Sequence, residues 1–298
     1  MIRILNEEEI RSIVTLDLAV IEAIETGFSE LARGHAHVPP IMMIPVPEKK
    51  GEVDIKSAYI KGMDQLAIKV ASGFFENNLL GLPSQSGQML VVSAETGFLQ
   101  GVLLDNGYLT QVRTGAAGAV AAKYLAPQNT NHVGVIGSGV QARFQMAALK
   151  LVRPFSTIHM FSLDADDEKD RYVRDMRSQL DVTVVKAPSV EAVVKESAVV
   201  VTTTPSRKGF IEARWLHPGL HITAMGSDTE EKQELQAQVL TSADLVACDL
   251  KSQSIRLGEL RSAVEQNVMP VDAPVVELGA IVNGQVPGRT AETQITVC

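Results

Sequence analysis

The sequence predicts an α/β protein in two parts. One is a doubly wound parallel sheet of the Rossmann type, and a mixed α+β domain comes before it. Three observations predict this. An apolar run, His132 to Ile136, breaks into Gly137-Ser138-Gly139-Val140-Gln141-Ala142 and then into a helical pattern from Arg143 to Leu151. After that turn, short apolar runs alternate with helical patterns, which is how a parallel sheet with crossover helices reads. Before it, apolar runs follow one another across short polar turns, which is how an antiparallel sheet reads.

Taken in order, Ile2 to Leu5 is a strand, and Asn6 caps a helix that continues to Val14. Thr15 offers a second cap, ahead of an amphipathic helix from Leu16 to Arg33 with Leu18, Ile21, Ile24 and Phe28 near helical spacing. His35-Ala36-His37-Val38-Pro39-Pro40 reads as a loop, and no third ligand type clusters nearby to make its histidines a metal site. Strands follow at Ile41 to Val46, Glu52 to Ile60, Gln65 to Ser72, Gln88 to Ser93 and Leu99 to Asp105, with a long loop from Gly73 to Pro83. A helix rich in Ala and Gly runs from Thr110 to Leu125, thin enough to pack very close to its neighbours. The polar stretch Ala126 to Asn131 is the expected domain boundary. Beyond the glycine turn, strands are expected at Thr157 to Phe161, Val182 to Val185, Ala198 to Thr203, His221 to Met225 and Leu245 to Asp249. Helices are expected at Asp166 to Leu180 and Ser189 to Glu196.

Bulk composition narrows the function. The 298 residues carry a formal charge of −8 and no Lys/Arg run, which argues against a nucleic-acid or anionic-membrane surface. The two cysteines, Cys248 and Cys298, have no CxxC spacing, so neither a disulfide framework nor a cysteine zinc site follows. No metal-ligand spacing occurs elsewhere. The acidic N-terminus lacks a signal-peptide layout, and no apolar stretch is long enough to span a bilayer; the expected compartment is cytoplasmic.

The glycine turn has the form of a dinucleotide-binding motif. Gly137 permits a tight turn, Gly139 lets a pyrophosphate approach the backbone, and Ala142 lets helix and strand lie close. Val140 and Gln141 begin a helix whose free N–H groups face an anion. Ligands of such sheets bind at the strands' carboxyl ends, which here carry Ser162 and Asp164, Thr203, and Gly226. Ser162 stands where the ribose-binding acid of NAD enzymes is usual; Asp164, two residues on, tips the reading toward NAD and leaves NADP open. Asp228 follows Gly226-Ser227 and reads either as a general base or amine ligand, or as the cap of a helix over Thr229 to Leu235. In the first domain, alternation puts Lys69 on one face with Ala67 and Ala71, a face that is either solvated or approached by a ligand. Arg113, near the start of the Ala/Gly-rich helix, is either a surface residue or an anion ligand.

These stretches together resemble the ornithine cyclodeaminase/mu-crystallin family across essentially the whole chain. The most specific parts are Leu66 to Val70 around Lys69, Leu109 to Leu125 with Arg113-Thr114, Val133 to Ala142, and Ala224 to Leu235 with Asp228. Gly51 to Lys56 and Asp105 to Thr110 look most like the ectoine-utilisation branch. The resemblance implies a substrate-binding and dimerisation domain from residues 1–126 plus about 287–298, an NAD(P)-binding Rossmann domain at 127–286, and a homodimer. Position by position it implies that Lys69 and Arg113 hold the substrate α-carboxylate, that Asp228 engages a distal amine, and that Asp54 lies near the substrate. It also implies that Ser84, Thr114 and the Gly137 turn touch the cofactor. One departure is Met43, where the family usually has an arginine, a third carboxylate ligand; Lys56 is a partial substitute. The other is the stretch Thr293 to Cys298, where family members continue into a glycine-rich turn and a final helix.

The activity so implied is an NAD(P)-dependent amino-acid cyclodeaminase: hydride leaves Cα, ammonia is released, and the hydride returns to a cyclic imine. Lys69, Arg113 and Asp228 are its catalytic residues. The alternatives are an imino-acid (ketimine) reductase or amino-acid dehydrogenase, and a non-catalytic binding protein of the mu-crystallin type. Two cations close together should lower the pKa of Lys69, so that it exchanges protons with the α-nitrogen.

Overall fold

The computed structural model describes residues 1–298, the side chain of Asn78 excepted. The chain forms two compact units: Met1–Thr15 with Ser29–Arg113, and Leu16–Phe28 with Thr114–Cys298.

Unit one contains β1 (Arg3–Asn6), α1 (Glu7–Ile13), the end of α2 (Leu18–Ala32), β2 (Ala36–His37), β3 (Met42–Val46), β4 (Gly51–Ile60), β5 (Gln65–Phe74), β6 (Gln85–Ser93), β7 (Leu99–Leu104) and the start of α3 (Tyr108–Leu125). The sheet runs β1-β7-β6-β5-β4-β2, and β3 also pairs with β4. All pairings are antiparallel except β1 with β7, so the sheet is mixed. The Asn6 cap forms as a reciprocal box: Glu9 N–H donates to Asn6 Oδ1 at 3.0 Å, and Asn6 N–H donates to Glu9 Oε2 at 2.9 Å. The second cap falls to Asp17 rather than Thr15: Val20 N–H donates to Asp17 Oδ1 at 3.0 Å. α3 starts earlier than Thr110 because Asp105 caps it across Asn106 (φ 51°) and Gly107 (φ 87°), with Leu109 N–H donating to Asp105 Oδ2 at 2.8 Å.

Unit two contains the rest: β8 (His132–Ile136), α4 (Val140–Val152), β9 (Thr157–Phe161), α5 (Asp166–Leu180), β10 (Thr183–Lys186), α6 (Val190–Lys195), β11 (Val199–Thr202), β12 (Arg207–Ile211), β13 (His221–Ala224), β14 (Gln233–Leu235), α7 (Gln238–Ser242), β15 (Leu245–Cys248), α8 (Lys251–Ser254), α9 (Gly258–Glu265), β16 (Val276–Glu277), α10 (Leu278–Val282) and β17 (Thr296–Val297). Its eight-stranded sheet is parallel throughout, in the order β10-β9-β8-β11-β13-β17-β15-β16. Both faces are buried, as a parallel sheet requires. Val199 and Val201 of β11 pack into one core with Met146, Tyr172 and Met176, while Val200 between them packs into the other with Val193, Ile222 and Leu235.

The small residues of α3 have the expected consequence. A Cβ on Gly115 would stand 2.9 Å from the Phe144 carbonyl of α4, and one on Gly118 would strike the Gln145 side chain. Gln145 Nε2 in turn donates to the Thr114 carbonyl at 2.8 Å.

Ala116, Ala119, Val120 and Leu125 of α3 are buried with Ile21, Ala148, Leu278 and Ile281, which ties this half of α3 and the 16–28 segment into unit two. Residues 287–298 also lie in unit two, because Thr296 and Val297 pair with His221 and Ile222 on one side and Leu245 and Val246 on the other. Thr229 to Leu235 is not a helix. Its end forms β14, which pairs with β12, because Glu234 and Leu235 are pinned by their backbone N–H groups to the Glu259 carboxylate.

Candidate functional site

In unit one the strand register gathers the expected substrate residues on one sheet face. Met43 lies opposite Asp54, Asp54 opposite Ala71, and Lys56 opposite Lys69. Asp54 and Lys56 share a face by the strand period, and their side chains pair at 3.5 Å. Lys69 makes no ion pair among the described residues. Burial lowers its pKa first, then the positive charges of Arg113 and Lys56, to about 7; Asp54 and Asp105 oppose the shift. A lysine in this range is a proton donor and a proton acceptor at neutral pH. Arg113 is exposed on α3, and Met43 is 55% exposed on β3, where it contributes no charge. Ser84 is exposed just before β6, and its carbonyl accepts from Phe74 N–H at 2.8 Å.

The sequence reading passed over Asp105. It is 1% exposed, and Oδ1 is buried with no hydrogen-bond partner. Burial raises its pKa; the backbone hydrogen bonds and Lys69 pull it back down. The signal was an acidic residue ahead of Asn-Gly and a helix, the pattern of an N-cap.

In unit two the glycine turn is built as its spacing predicts. Gly137 has φ +113°, where an L side chain is strained, and a Cβ there would stand 2.6 Å from Thr203 Oγ1. Thr203 itself closes on β8, its N–H donating to the Ile136 carbonyl at 2.9 Å. Gly139 is different. It has φ −74°, open to any residue, and a Cβ there would meet nothing within 4 Å. Nothing in the chain itself demands glycine at this position. It is the N-cap of α4, with no side chain to satisfy the first N–H groups at Val140 and Gln141. A pyrophosphate seated on that helix end supplies both the missing reason for glycine and the missing acceptor, so the residues present fit a dinucleotide.

Arg143 fixes the turn from behind. Its guanidinium donates to the Ser138 carbonyl, to the Gly139 carbonyl at 3.2 Å, and to Asp175 at 2.7 and 2.9 Å. At the end of β9, Ser162 Oγ donates to Asp164 Oδ2 at 2.6 Å, and Ser138 Oγ donates to the same oxygen. Those two hydroxyls hold the Asp164 carboxyl below the usual carboxylate range. Gln141 Oε1 is buried without a partner.

Gly226 has a reason within the chain. Its N–H donates to Glu234 Oε2 at 2.8 Å, and a Cβ would stand 2.4 Å from the Thr204 carbonyl. Glu234, which the sequence reading named only as part of a motif, is fully buried and also accepts from Thr202 Oγ1 (2.6 Å), Thr204 N–H (2.6 Å) and Thr204 Oγ1 (2.8 Å). It locks the ends of β11 and β13 together. Asp228 caps no helix: it lies in a loop, its side chain 66% exposed and paired with Lys232 at 2.6 Å. Among the described residues no group of three metal-ligating side chains occurs, and no helix is long and apolar enough to cross a membrane.

A parallel sheet with a glycine turn at its first strand, in one chain with a mixed sheet whose one face carries Asp54, Lys56 and Lys69, defines a nucleotide-binding α/β protein. The sequence model of the ornithine cyclodeaminase/mu-crystallin family matches residues 2–298, and the chain belongs to that family. Two relatives are each 43% identical over 99% of this chain and 89% of their own length. One, from Rhizobium meliloti (strain 1021), is named as a dehydrogenase; the other, from Sinorhizobium fredii (strain NBRC 101917 / NGR234), as an uncharacterized cyclodeaminase. Among solved structures, the chain is similar to Delta(1)-pyrroline-2-carboxylate reductase of Thermococcus litoralis in complex with NADH and L-proline. The TM-score is 0.93 at 28% identity, covering 99% of this chain and 90% of that one.

Proposed function

We propose that the protein is an NAD-linked oxidoreductase that interconverts an α-imino acid and the corresponding α-amino acid. Lys69 carries this reading: a half-buried amine with a pKa of about 7, beside two other cations. In the reductive direction its ammonium gives a proton to the substrate nitrogen, which makes the neighbouring carbon a better hydride acceptor. In the oxidative direction the neutral amine takes that proton back. Arg113 holds the α-carboxylate in a charge-assisted hydrogen bond. When bound, NAD(H) accepts or supplies the hydride at Cα, and the Gly137 to Gln141 turn and the start of α4 hold its pyrophosphate. Asp164, kept ionised by Ser138 and Ser162, favours the free ribose hydroxyls of NAD and repels a 2′-phosphate. The reductase of known structure, with its NADH and proline, supports the same chemistry.

Cyclodeamination is the second reading, and Asp228 is the observation for it. That reaction needs a carboxylate for a distal amine, but Asp228 is already paired with Lys232, and Met43 takes away a cation. We therefore place reduction and dehydrogenation first. We propose a homodimer as the assembly.

The test is a substrate panel of cyclic imines, ornithine, lysine and diaminobutyrate with NAD(H) and NADP(H), following nicotinamide absorbance and ammonia together. Net oxidation or reduction of the nicotinamide is the expected result. Ammonia release with no net change in nicotinamide would establish cyclodeamination instead. Cofactor binding without turnover of any candidate would point to a binding protein.

A further inference from the structure

The Lys69 face has a built-in anion whose placement the substrate does not explain. β5, β6 and β7 are in register, with Lys69 opposite Met89 and Met89 opposite Leu103. Asp105 is the first residue past β7, two along from Leu103. The turn that carries it lies over this same face. Gly87 stands opposite Ala71, on Lys69's side of the sheet, and a Cβ built there would stand 3.3 Å from Gly107 Cα and 3.4 Å from its N. Ser86 Oγ ties the turn down by donating to Asn106 Oδ1 at 2.9 Å. Asp105 is thus held on three counts: by the left-handed pair Asn106-Gly107, by the helix N–H that its Oδ2 accepts, and by burial. Its Oδ1 is left buried without a hydrogen-bond partner, a costly arrangement for a cap that exposure to water would relieve. An N-cap needs one oxygen, and asparagine or serine serves as well. The second oxygen and the full charge are surplus to capping.

We propose that Asp105 is a positioning residue for Lys69: a fixed counter-charge, locked by the start of α3 over the same face of the sheet, that favours the lysine's ammonium form. This rests on Lys69 being the proton-exchanging group of the proposed reaction. The groups acting on Lys69 are Arg113 from α3, Lys56 and Asp54 from β4, and Asp105. Two cations drive its proton off and two anions retain it. Asp54 already pairs with Lys56 at 3.5 Å, which leaves Asp105 as the anion not spent on a neighbouring cation within ion-pair distance.

The experiment reads Lys69 without using activity. In the full-length protein, the pH dependence of Lys69 labelling by an amine-selective acylating reagent, quantified by peptide mass spectrometry, gives its titration midpoint. Asp105→Asn keeps an acceptor for Leu109 and removes the charge. The midpoint should fall, by up to about one pH unit, the direction that loss of a neighbouring negative charge requires, and the matching limb of the kcat/KM profile should move with it. Lys56→Gln should move the midpoint the other way. A folded Asp105→Asn protein with an unshifted midpoint overturns the proposal, whatever its activity. If Asp105→Asn does not fold, the coupling is read from the other side. In Lys69→Met, the Asp105 carboxyl followed by 13C NMR should titrate at higher pH than in the unmodified protein; no change there overturns the proposal equally. The two readings fail separately. Shifted midpoints in a protein that turns over nothing sink the proposed reaction and keep the Asp105–Lys69 coupling, whereas turnover with unshifted midpoints does the reverse.

Discussion

Replacing Lys69 by methionine should abolish turnover and make the protein more stable. The free energy follows from the titration. Lys69 has a pKa of about 7 in the folded chain against 10.5 for an unperturbed lysine. A lowered lysine pKa means that the folded state penalises the charged form. Below about pH 7 the ammonium is charged in both states, and the folded state carries the whole cost. As pH rises from there toward 10.5, the folded lysine is neutral while the unfolded one still holds its proton, so the penalty fades and stability gains. At about 1.36 kcal/mol per pH unit, the gap sets a ceiling of roughly 5 kcal/mol. Water at a half-buried site and relaxation of the neighbours reduce it, and about 2 kcal/mol is the expected gain at pH 6. Methionine keeps much of the aliphatic stem, so little packing is lost. The assay is urea unfolding of both proteins at about pH 6, 8 and 10, where small proteins lose stability linearly in denaturant. The midpoint of the variant should lie above that of the parent at pH 6, and the two should converge by pH 10. A variant less stable at pH 6, or a difference that does not change with pH, would refute the account of Lys69 as a charge held against its solvation.

Other outcomes follow from single positions. Gly139→Ala meets open space at an ordinary φ, so stability should hold or rise by about 0.5 kcal/mol, while the calorimetric Kd for NAD weakens at least tenfold. Gly137→Ala, forced to φ +113° against Thr203, should instead lose about 1–3 kcal/mol in denaturant melts before any ligand is added. Glu234→Gln sets an amide N–H2 against two of the four donors that now converge on the carboxylate, one of them a backbone N–H that cannot reverse, and should cost about 2–3 kcal/mol by the same melts. Asp164→Asn removes the anion at the end of β9. The ratio of NAD to NADP affinity should fall about tenfold, and an unchanged ratio would exclude Asp164 from the choice of cofactor.

Periodicity carried most of the fold. β9 and α5 lie where the apolar pattern placed them, because a strand with one face fully buried and an amphipathic helix with acidic residues in its first turn each leave a local mark in sequence. β17 left no such mark. Two residues make a central strand only because β13 and β15 leave a gap of one strand's width, and that is a property of the sheet rather than of Thr296 and Val297. Asp228 misled for a related reason: aspartate before a polar run is a good cap, but tertiary bonds from Glu259 drew the following residues into a strand. In the site, residue types and spacing pointed to Lys69, Arg113 and the glycine turn. Asp105 stayed hidden because its significance lies in burial and in an unused oxygen, and neither is written in residue order.

The position of β17 also bears on how the protein is made. A ribosome delivers the chain from its N-terminus, so β13 and β15 emerge well before the two residues that join them. Until residue 297 is clear of the exit tunnel, the parallel sheet exists as two separate pieces, each with a raw hydrogen-bonding edge turned toward the other. Non-local closure of this kind is slow and leaves nascent chains sticky. The cell must therefore shelter the chain until this seam closes, and a ribosome that stalls before Thr296 would leave the sheet unsealed.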